Sequence, residues 1–362
     1  MENGMTKHVP LNSVLLGDCI EMMNALPEKS VDIVFADPPY NMQLRGDLWR
    51  PNMTKVDAVD DDWDQFGSFQ EYDAFTCAWL SAAKRVLKDT GTLFVIGSYH
   101  NIYRVGNILM DLGYWMLNDI VWIKHNPMPQ MKGVRLCNAH ETILWVKKSS
   151  QQTKYTFHYH ALKAGNEDKQ MRSDWYFPIC SGSERETVNG EKAHTTQKPE
   201  ALLYRIISMA SNPGDIVLDP FCGSGTTAAV AKKLGRSYIT IDREAMYVEV
   251  AEARLANISP ALLTSADEGG VLLGGPKPRV PFLSFVESGR LAAGLSLRLK
   301  GTQVYAVIHA DGTVSASGHR GSIHKVAAVC LGLPTANGWT SWLFADAETQ
   351  EERLLDALRP AG

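Results

Sequence analysis

Two short stretches of the 362-residue chain carry residue types and spacing suited to chemistry. The first is Asp37-Pro38-Pro39-Tyr40, placed directly after the apolar run 31–36. Proline rings fix the backbone, so a carbonyl between them points one way without an induced change. Asp37 offers a carboxylate that only accepts hydrogen bonds, Pro38 a carbonyl acceptor, and Tyr40 a flat face. Together they suit an exocyclic amine on a planar ring, which donates two hydrogen bonds while the ring stacks on Tyr40. An aryl amine is a poor nucleophile because its lone pair is delocalised into the ring. Two acceptors on its hydrogens favour a pyramidal nitrogen that can attack. The plain alternative is a Pro-rich turn.

The second stretch is Val217-Leu218-Asp219-Pro220-Phe221-Cys222-Gly223-Ser224-Gly225-Thr226-Thr227, an apolar strand pattern running into a Gly-rich turn that opens a helix pattern. Glycines let backbone approach a ligand closely. The Gly-x-Gly-x-x-Gly spacing of dinucleotide sites is absent. About 20 residues on, Asp242 stands at the usual offset for a carboxylate that binds ribose hydroxyls. The combination predicts an adenosine cofactor without a pyrophosphate; the plain alternative is a tight packing turn.

The elements that must position these stretches follow from periodicity. Apolar runs predict strands at 31–36, 92–97, 114–123, 141–147, 215–219 and 237–242. Helical spacing covers 69–87, broken at Gly91, and 101–112, 200–211, 226–234 and 244–257. Strands alternating with helices predict an α/β fold, a mostly parallel sheet with helices on both faces. Residues 1–258 form the expected catalytic domain, interrupted by a loop-rich, basic insertion at 124–195. Residues 259–281, rich in Gly, Pro and small residues, read as a linker. Residues 282–362 read as a small α+β domain with short strands near 304–308 and 313–314 and one or two short helices.

Composition bounds the partners. The net charge is −4, yet residues 120–172 carry nine Lys and Arg against three acids, and residues 47–64 carry six Asp against two basic residues. A basic segment in an acidic chain is either a solvated surface or an electrostatic footprint for phosphates. The six cysteines are scattered singly without Cys-x-x-Cys spacing, so reduced cytoplasmic thiols are expected rather than disulfides or zinc. His158, His160 and Cys180 match no standard metal spacing, and His140-Glu141 is not a His-Glu-x-x-His motif. No metal is expected. No membrane-length apolar run occurs, and residues 1–10 lack the apolar core of a signal peptide.

Taken together, the two motifs resemble the S-adenosylmethionine-dependent amino-methyltransferases of DNA. Asp-Pro-Pro-Tyr precedes Phe-x-Gly-x-Gly with the recognition insertion between them, the order of the family's beta class. Val56-Asp57-Ala58-Val59-Asp60-Asp61, Gly97-Ser98-Tyr99-His100-Asn101, Asn126-Pro127-Met128-Pro129, Gln170-Met171-Arg172-Ser173-Asp174-Trp175 and Gln197-Lys198-Pro199-Glu200 extend the likeness. They resemble the CcrM-type, cell cycle-regulated methyltransferases of alphaproteobacteria along nearly the whole chain. The resemblance implies methylation of adenine N6 in GANTC sites of double-stranded DNA by a cytoplasmic, nucleoid-associated enzyme. Cytosine-N4 relatives more often carry Ser at the Asp37 position, and protein or RNA methyltransferases commonly carry Asn. A DNA-binding regulator with an idle cofactor site is opposed by the intact Asp37, Tyr40 and glycine turn.

Carried over by residue, Asp37, Pro38, Pro39 and Tyr40 become the catalytic set. Asp18, Cys19, Asp37, Lys198, Asp219, Phe221, Gly223, Gly225, Thr226, Asp242 and Arg243 become contacts of S-adenosylmethionine. Many relatives have Glu where this chain has Asp242. A base inside a duplex must be extruded to react. Met42, Leu44, Leu48 and Trp49 follow the catalytic motif and suit an unstacking wedge, or else pack beneath their own loop. Lys124, Lys132, Arg135 and Arg172 are candidate phosphate or base contacts. In the C-terminal domain the resemblance implies DNA contacts by Ser322, Asn337 and Trp339, against the alternative of a small Trp-filled core. A symmetric target leaves open a homodimer or one subunit serving each strand in turn.

Overall fold

The computed structural model describes residues 8–42, 64–129, 133–166, 168–188, 190–258, 281–346 and 351–358. The expected positions Leu44, Leu48, Trp49 and Lys132, and nearly all of the 259–281 segment, lie outside them. The chain divides into two compact units, one of residues 1–156, 173–203 and 213–260, the other of 157–172, 204–212 and 261–362.

In the first unit the elements follow in chain order: β1 (Ser13–Leu16), α1 (Cys19–Ala25), β2 (Val31–Ala36), α2 (Phe69–Val86), β3 (Leu87–Gly97), α3 (Ile102–Asp111), β4 (Trp115–Lys124) and β5 (His140–Lys147). After α4 (Tyr159–Gly165), which belongs to the second unit, come β6 (Asp174–Phe177) and the small hairpin β7 (Thr187–Val188) and β8 (Glu191–Lys192). Then follow α5 (Glu200–Ala210), β9 (Ile216–Asp219), α6 (Thr226–Lys233), β10 (Ser237–Asp242) and α7 (Ala245–Ala256).

Eight strands form one sheet in the order β1-β10-β9-β2-β3-β5-β4-β6. Pairing is parallel except that β5 runs antiparallel between β3 and β4. The alternation along β2 explains its central place. Val34 and Ala36 face a core with Met23, Trp79, Leu80, Val105 and Leu109 of α1, α2 and α3. Ile33 and Phe35 face the other side and are also fully buried, so both faces are covered. Capping fixes where the helices start. The Asp18 side chain accepts from the Ile20 and Glu21 amides at 2.9 and 3.1 Å, and Ser68 Oγ accepts from Glu71 N at 3.1 Å.

Two expectations need correction. The 124–195 segment is not wholly an insertion, because β5 is an interior strand and β6 a sheet edge. The strand expected at 141–147 is β5, and its antiparallel place between β3 and β4 departs from simple strand–helix alternation. Gly91 does not separate a helix from a later strand, since β3 begins directly at Leu87. A Cβ at Gly91 would lie 2.8 Å from the Asp32 carbonyl oxygen, and the β2–β3 register shifts nearby. The glycine serves a close approach of two strands rather than a helix stop.

The second unit holds α4, the rest of α5, α8 (Phe282–Glu287), β11 (Ser296–Leu299), β12 (Tyr305–Ile308), β13 (Val314–Ala316), β14 (His319–Gly321), α9 (Ile323–Leu331), α10 (Gly338–Ser341), β15 (Trp342–Ala345) and β16 (Glu352–Leu354). Its antiparallel sheet has the order β14-β13-β12-β11-β15-β16. Leu297, Leu299, Ile308, Val314, Phe285, Trp339 and Trp342 are all buried in this unit, and Phe285 packs against Trp339. A fully buried ion pair, Arg205 Nη2 to Glu287 Oε2 at 2.9 Å, joins α5 to α8.

Candidate active site

Parallel neighbours end on the same edge of a sheet, and that edge is where open α/β sheets bind ligands. β9 pairs with β2 in the register Ile33 to Val217 and Val34 to Leu218. Asp37, just after β2, and the glycine turn, just after β9, therefore emerge side by side. β10 and β1 continue the edge and bring Asp242 and Asp18, with Gly17 N donating to the Asp242 carbonyl at 2.9 Å. The proline-rich corner and the glycine corner, distant in sequence, thus share one edge.

The Asp-Pro-Pro-Tyr corner is held from several sides. Tyr72 Oη donates to the Pro39 carbonyl at 2.9 Å, and Asn101 Nδ2 donates to Tyr72 Oη at 3.2 Å. Asp64, from the acidic stretch, accepts the amide of Tyr40 and, at 2.8 and 3.0 Å, those of Asn41 and Met42. Asn41 sits at φ +53°, a left-handed turn that Asn tolerates.

A buried charge cluster surrounds Asp37. Lys198 Nζ donates to Asp37 Oδ2 at 2.6 Å, and Tyr40 Oη reaches Asp37 Oδ1 at 3.0 Å and Glu141 Oε2 at 3.1 Å. Lys124 Nζ donates to Glu141 Oε1 at 2.6 Å. Burial pushes the Asp37 carboxyl above the usual carboxylate range against the pull of Lys198. Burial also acts on Glu141, but Lys198 and Lys124 outweigh it and hold that carboxyl below its usual range. For Lys198, burial is outweighed by Asp37 and Glu141, which raise it and keep the ammonium charged. Burial and the two carboxylates keep the Tyr40 phenol protonated, so it acts as a donor.

The glycine turn divides into parts with different jobs. Gly223 N donates to Asp242 Oδ2 at 2.8 Å and Glu244 N to Oδ1 at 3.0 Å, fixing the Asp242 carboxylate. Gly223 is at φ +50°, and a Cβ there would lie 3.1 Å from the His194 ring. Burial lowers His194 to about 4, so that ring is neutral. Gly225 allows close packing: at φ +74°, a Cβ would come within 2.8 Å of Ala251 Cβ in α7. The Thr226 hydroxyl accepts from Arg254 Nη1 at 3.1 Å. Phe221 packs edge-on against Trp79 at 5.3 Å, and its amide donates to Asp219 Oδ1 at 2.9 Å. Burial pushes Asp219 up to about 8. Cys19 is buried under the edge with its thiol pushed up to about 12, and Arg243 pairs with its neighbour Glu244 at 3.2 Å.

These residues fit an adenosine cofactor bearing a positive sulfonium. Each Asp242 oxygen takes one backbone amide and keeps a lone pair for a ribose hydroxyl donor. Asp18 and Asp242 lie at neighbouring strand ends on this edge, a surrounding that disfavours a pyrophosphate and suits a cation. Among the described residues, no group of three His, Cys, Asp or Glu side chains is placed to hold a metal ion. No helix there is long and apolar enough to cross a membrane.

The expected DNA contacts fare differently. Lys124 is turned inward onto Glu141 and is a member of the charge cluster. Arg135 Nη1 donates to Tyr99 Oη at 2.7 Å on the surface, and Arg172 is exposed in the second unit. Trp339 is only 3% exposed and packs edge-on against Phe282 and Phe285, so in this conformation its ring fills the core and offers no stacking face. Ser322 caps α9 by accepting from Lys325 N at 3.2 Å, and Asn337 caps α10 by accepting from Trp339 N at 3.1 Å. Sequence reasoning overlooked Glu141 and Asp64. Glu141 gave no signal, because nothing in its own segment shows that its strand begins on the catalytic edge.

Residues 31–253 match the family of N6/N4 methyltransferases described as DNA methylases. The type II methyltransferase M.HinfI of Haemophilus influenzae is 47% identical over 330 residues, 91% of each chain. The type II methyltransferase M2.LlaDCHI of Lactococcus lactis subsp. cremoris is 39% identical over 67% of this chain and 89% of its own. Among solved structures, the M1.HpyAVI–SAM complex superposes with a TM-score of 0.50 at 26% identity, over 68% of this chain and 99% of its own. The cytosine-N4-specific PvuII DNA methyltransferase shares the fold, with a TM-score of 0.52 at 21% identity over 68% of this chain and 88% of its own.

Proposed function

The chain belongs to the N6/N4 DNA methylase family, whose methyl donor is S-adenosylmethionine, and on that premise we propose that it methylates adenine N6 in double-stranded DNA at GANTC sites. The observation that carries the reading is Asp37, an acceptor aimed from the end of β2, beside a glycine turn and a fixed Asp242 on the same edge.

S-adenosylmethionine, when bound, supplies an activated methyl group on a positive sulfonium. Asp242, its carboxylate fixed by the Gly223 and Glu244 amides, would accept from the ribose hydroxyls. Asp37 and the Pro38 carbonyl accept the two amine hydrogens and concentrate the nitrogen lone pair on the reacting side. Tyr40 provides the flat face against the base. Orientation is the main contribution of such a site, and well-oriented reactants gain several powers of ten in rate. Asp at position 37, where cytosine-N4 relatives more often carry Ser, supports adenine over cytosine. The sites expected from the CcrM-type resemblance are GANTC. The base reaches Asp37 only by leaving the stack, at a cost of a few kcal/mol. A two-fold site accommodates a homodimer or successive action by one subunit, and sedimentation of the protein with a short duplex separates the two.

The test is transfer of labelled methyl from S-adenosylmethionine to duplexes with and without a GANTC site, followed by nucleoside separation. N6-methyladenine confined to GANTC duplexes is expected. N4-methylcytosine, or label on RNA or protein only, overturns the reading.

A further inference from the structure

We propose that Glu141 is a positioning residue for the methyl transfer, the reserve acceptor that takes the Tyr40 hydroxyl when the target amine claims Asp37. The inference rests on the methyltransferase reading and deepens it, by giving a role to a residue outside both motifs.

A phenol carries one proton. Tyr40 Oη has two carboxylates within reach, Asp37 Oδ1 at 3.0 Å and Glu141 Oε2 at 3.1 Å. The other Asp37 oxygen already takes Lys198 at 2.6 Å. Both oxygens of Asp37 therefore have donors before any amine arrives. An entering amine adds N–H donors to the same carboxylate, and a donor it displaces needs another buried acceptor. An unsatisfied buried donor is expensive, so without such an acceptor the amine would be opposed. Glu141 offers that acceptor to both displaced groups, at 3.1 Å from Tyr40 and 3.9 Å from Lys198.

Glu141 is itself held for the task. Its Oε1 takes Lys124 at 2.6 Å, and the residue is 8% exposed at the start of β5, opposite Trp122 of β4. Because β5 runs antiparallel, its first residues lie on the edge where β2 and β3 end. The cluster balances two carboxylates, Asp37 and Glu141, against two ammoniums, Lys124 and Lys198, with Asp219 as a further acid acting on Lys198. Removing the Glu141 charge relieves its repulsion of the Asp37 carboxylate, so Asp37 should ionise at lower pH.

The test is single-turnover methyl transfer to a GANTC duplex from acidic to mildly basic pH, for wild type, Glu141→Gln and Glu141→Asp. Glutamine has one acceptor for two donors. The Gln variant should bind S-adenosylmethionine as wild type does, transfer about tenfold to a hundredfold more slowly, and show its acid limb at lower pH. The Asp variant keeps the charge but draws back from Tyr40, so it should slow with the acid limb in place. In a Tyr40→Phe background the Gln substitution should cost much less, because no hydroxyl remains to be received. Wild-type rates and unchanged limbs in both variants, or full additivity with Tyr40→Phe, would overturn the proposal. If the Gln variant does not fold, the Asp variant and its combination with Tyr40→Phe decide. Wild-type protein that transfers no methyl to any DNA would overturn the functional reading itself, and this inference with it.

Discussion

Lys198 and Asp37 lie 161 residues apart in the chain and meet at 2.6 Å, with the Lys198 side chain 8% exposed. The contact ties the segment that leads into α5 to the corner after β2. It also places a fixed positive charge on the carboxylate proposed to accept the target amine. Lys198, expected as a cofactor contact, is thereby part of the machinery around Asp37.

Asp37→Ala should reduce methyl transfer by about two to three orders of magnitude, the range for losing one preorganised polar contact in an active site. Affinity for duplex DNA should change little. Single-turnover rates and fluorescence anisotropy with a labelled duplex check this. Equal loss of both in a folded variant would contradict the role of Asp37.

The pH dependence has a defined sign. Burial raises Asp37 above the unperturbed value of about 4, so activity should fall on the acid side at a higher pH than an ordinary carboxylate would dictate. Lys198 opposes the rise, so Lys198→Gln should move the acid limb to still higher pH. That direction is opposite to the one expected for Glu141→Gln. Rate profiles of the three proteins measure both shifts. Coincident limbs would dissolve the charge cluster as an explanation.

Asp219 makes a separate prediction about stability. Its folded-state value of about 8 lies above the unfolded carboxylate value of 3.8. Between these values the folded chain holds a proton that the unfolded chain releases, so the group favours folding at low pH and loses that contribution as pH rises. Relative to Asp219→Asn, the wild type should lose stability from pH about 5 to about 7.5. Urea midpoints at the two pH values, without cofactor, measure it. A difference that stays constant or grows in favour of wild type would refute burial as the dominant influence on this carboxyl.

In the second unit, Trp339→Ala should cost about 3–5 kcal/mol of stability, the usual range for removing a large buried aromatic. Denaturant melts check this, and an unchanged midpoint would contradict its packing against Phe282 and Phe285. Any loss of DNA affinity in this variant must be read beside its stability, because the side chain supports the unit.

The edge that carries the candidate site was legible in the sequence because a buried parallel strand leaves a plain trace. The apolar runs ending at Asp37, Asp219 and Asp242 became β2, β9 and β10, whose ends share one edge. What the sequence withheld were contacts made across long separations. Glu141 reaches the edge from an antiparallel strand, so the rule that sites follow strand ends passes over it. Asp64 caps the amides of Asn41 and Met42 from more than 20 positions away, which no local turn pattern announces. The Thr226 hydroxyl meets Arg254 and the missing Cβ of Gly225 makes room for Ala251, packing contacts that the motif alone does not announce. Type and spacing identify a turn; only packing tells which of its atoms face a cleft.

The central claim is that the proline-rich and glycine-rich corners form one site that methylates a DNA amine. Mapping modified bases in a genome that expresses the wild-type chain, beside one that expresses Asp37→Ala, tests it most directly. N6-methyladenine at GANTC positions is expected with the wild type, and its absence with the variant. Identical maps for the two, or modified cytosines in place of adenines, would contradict it.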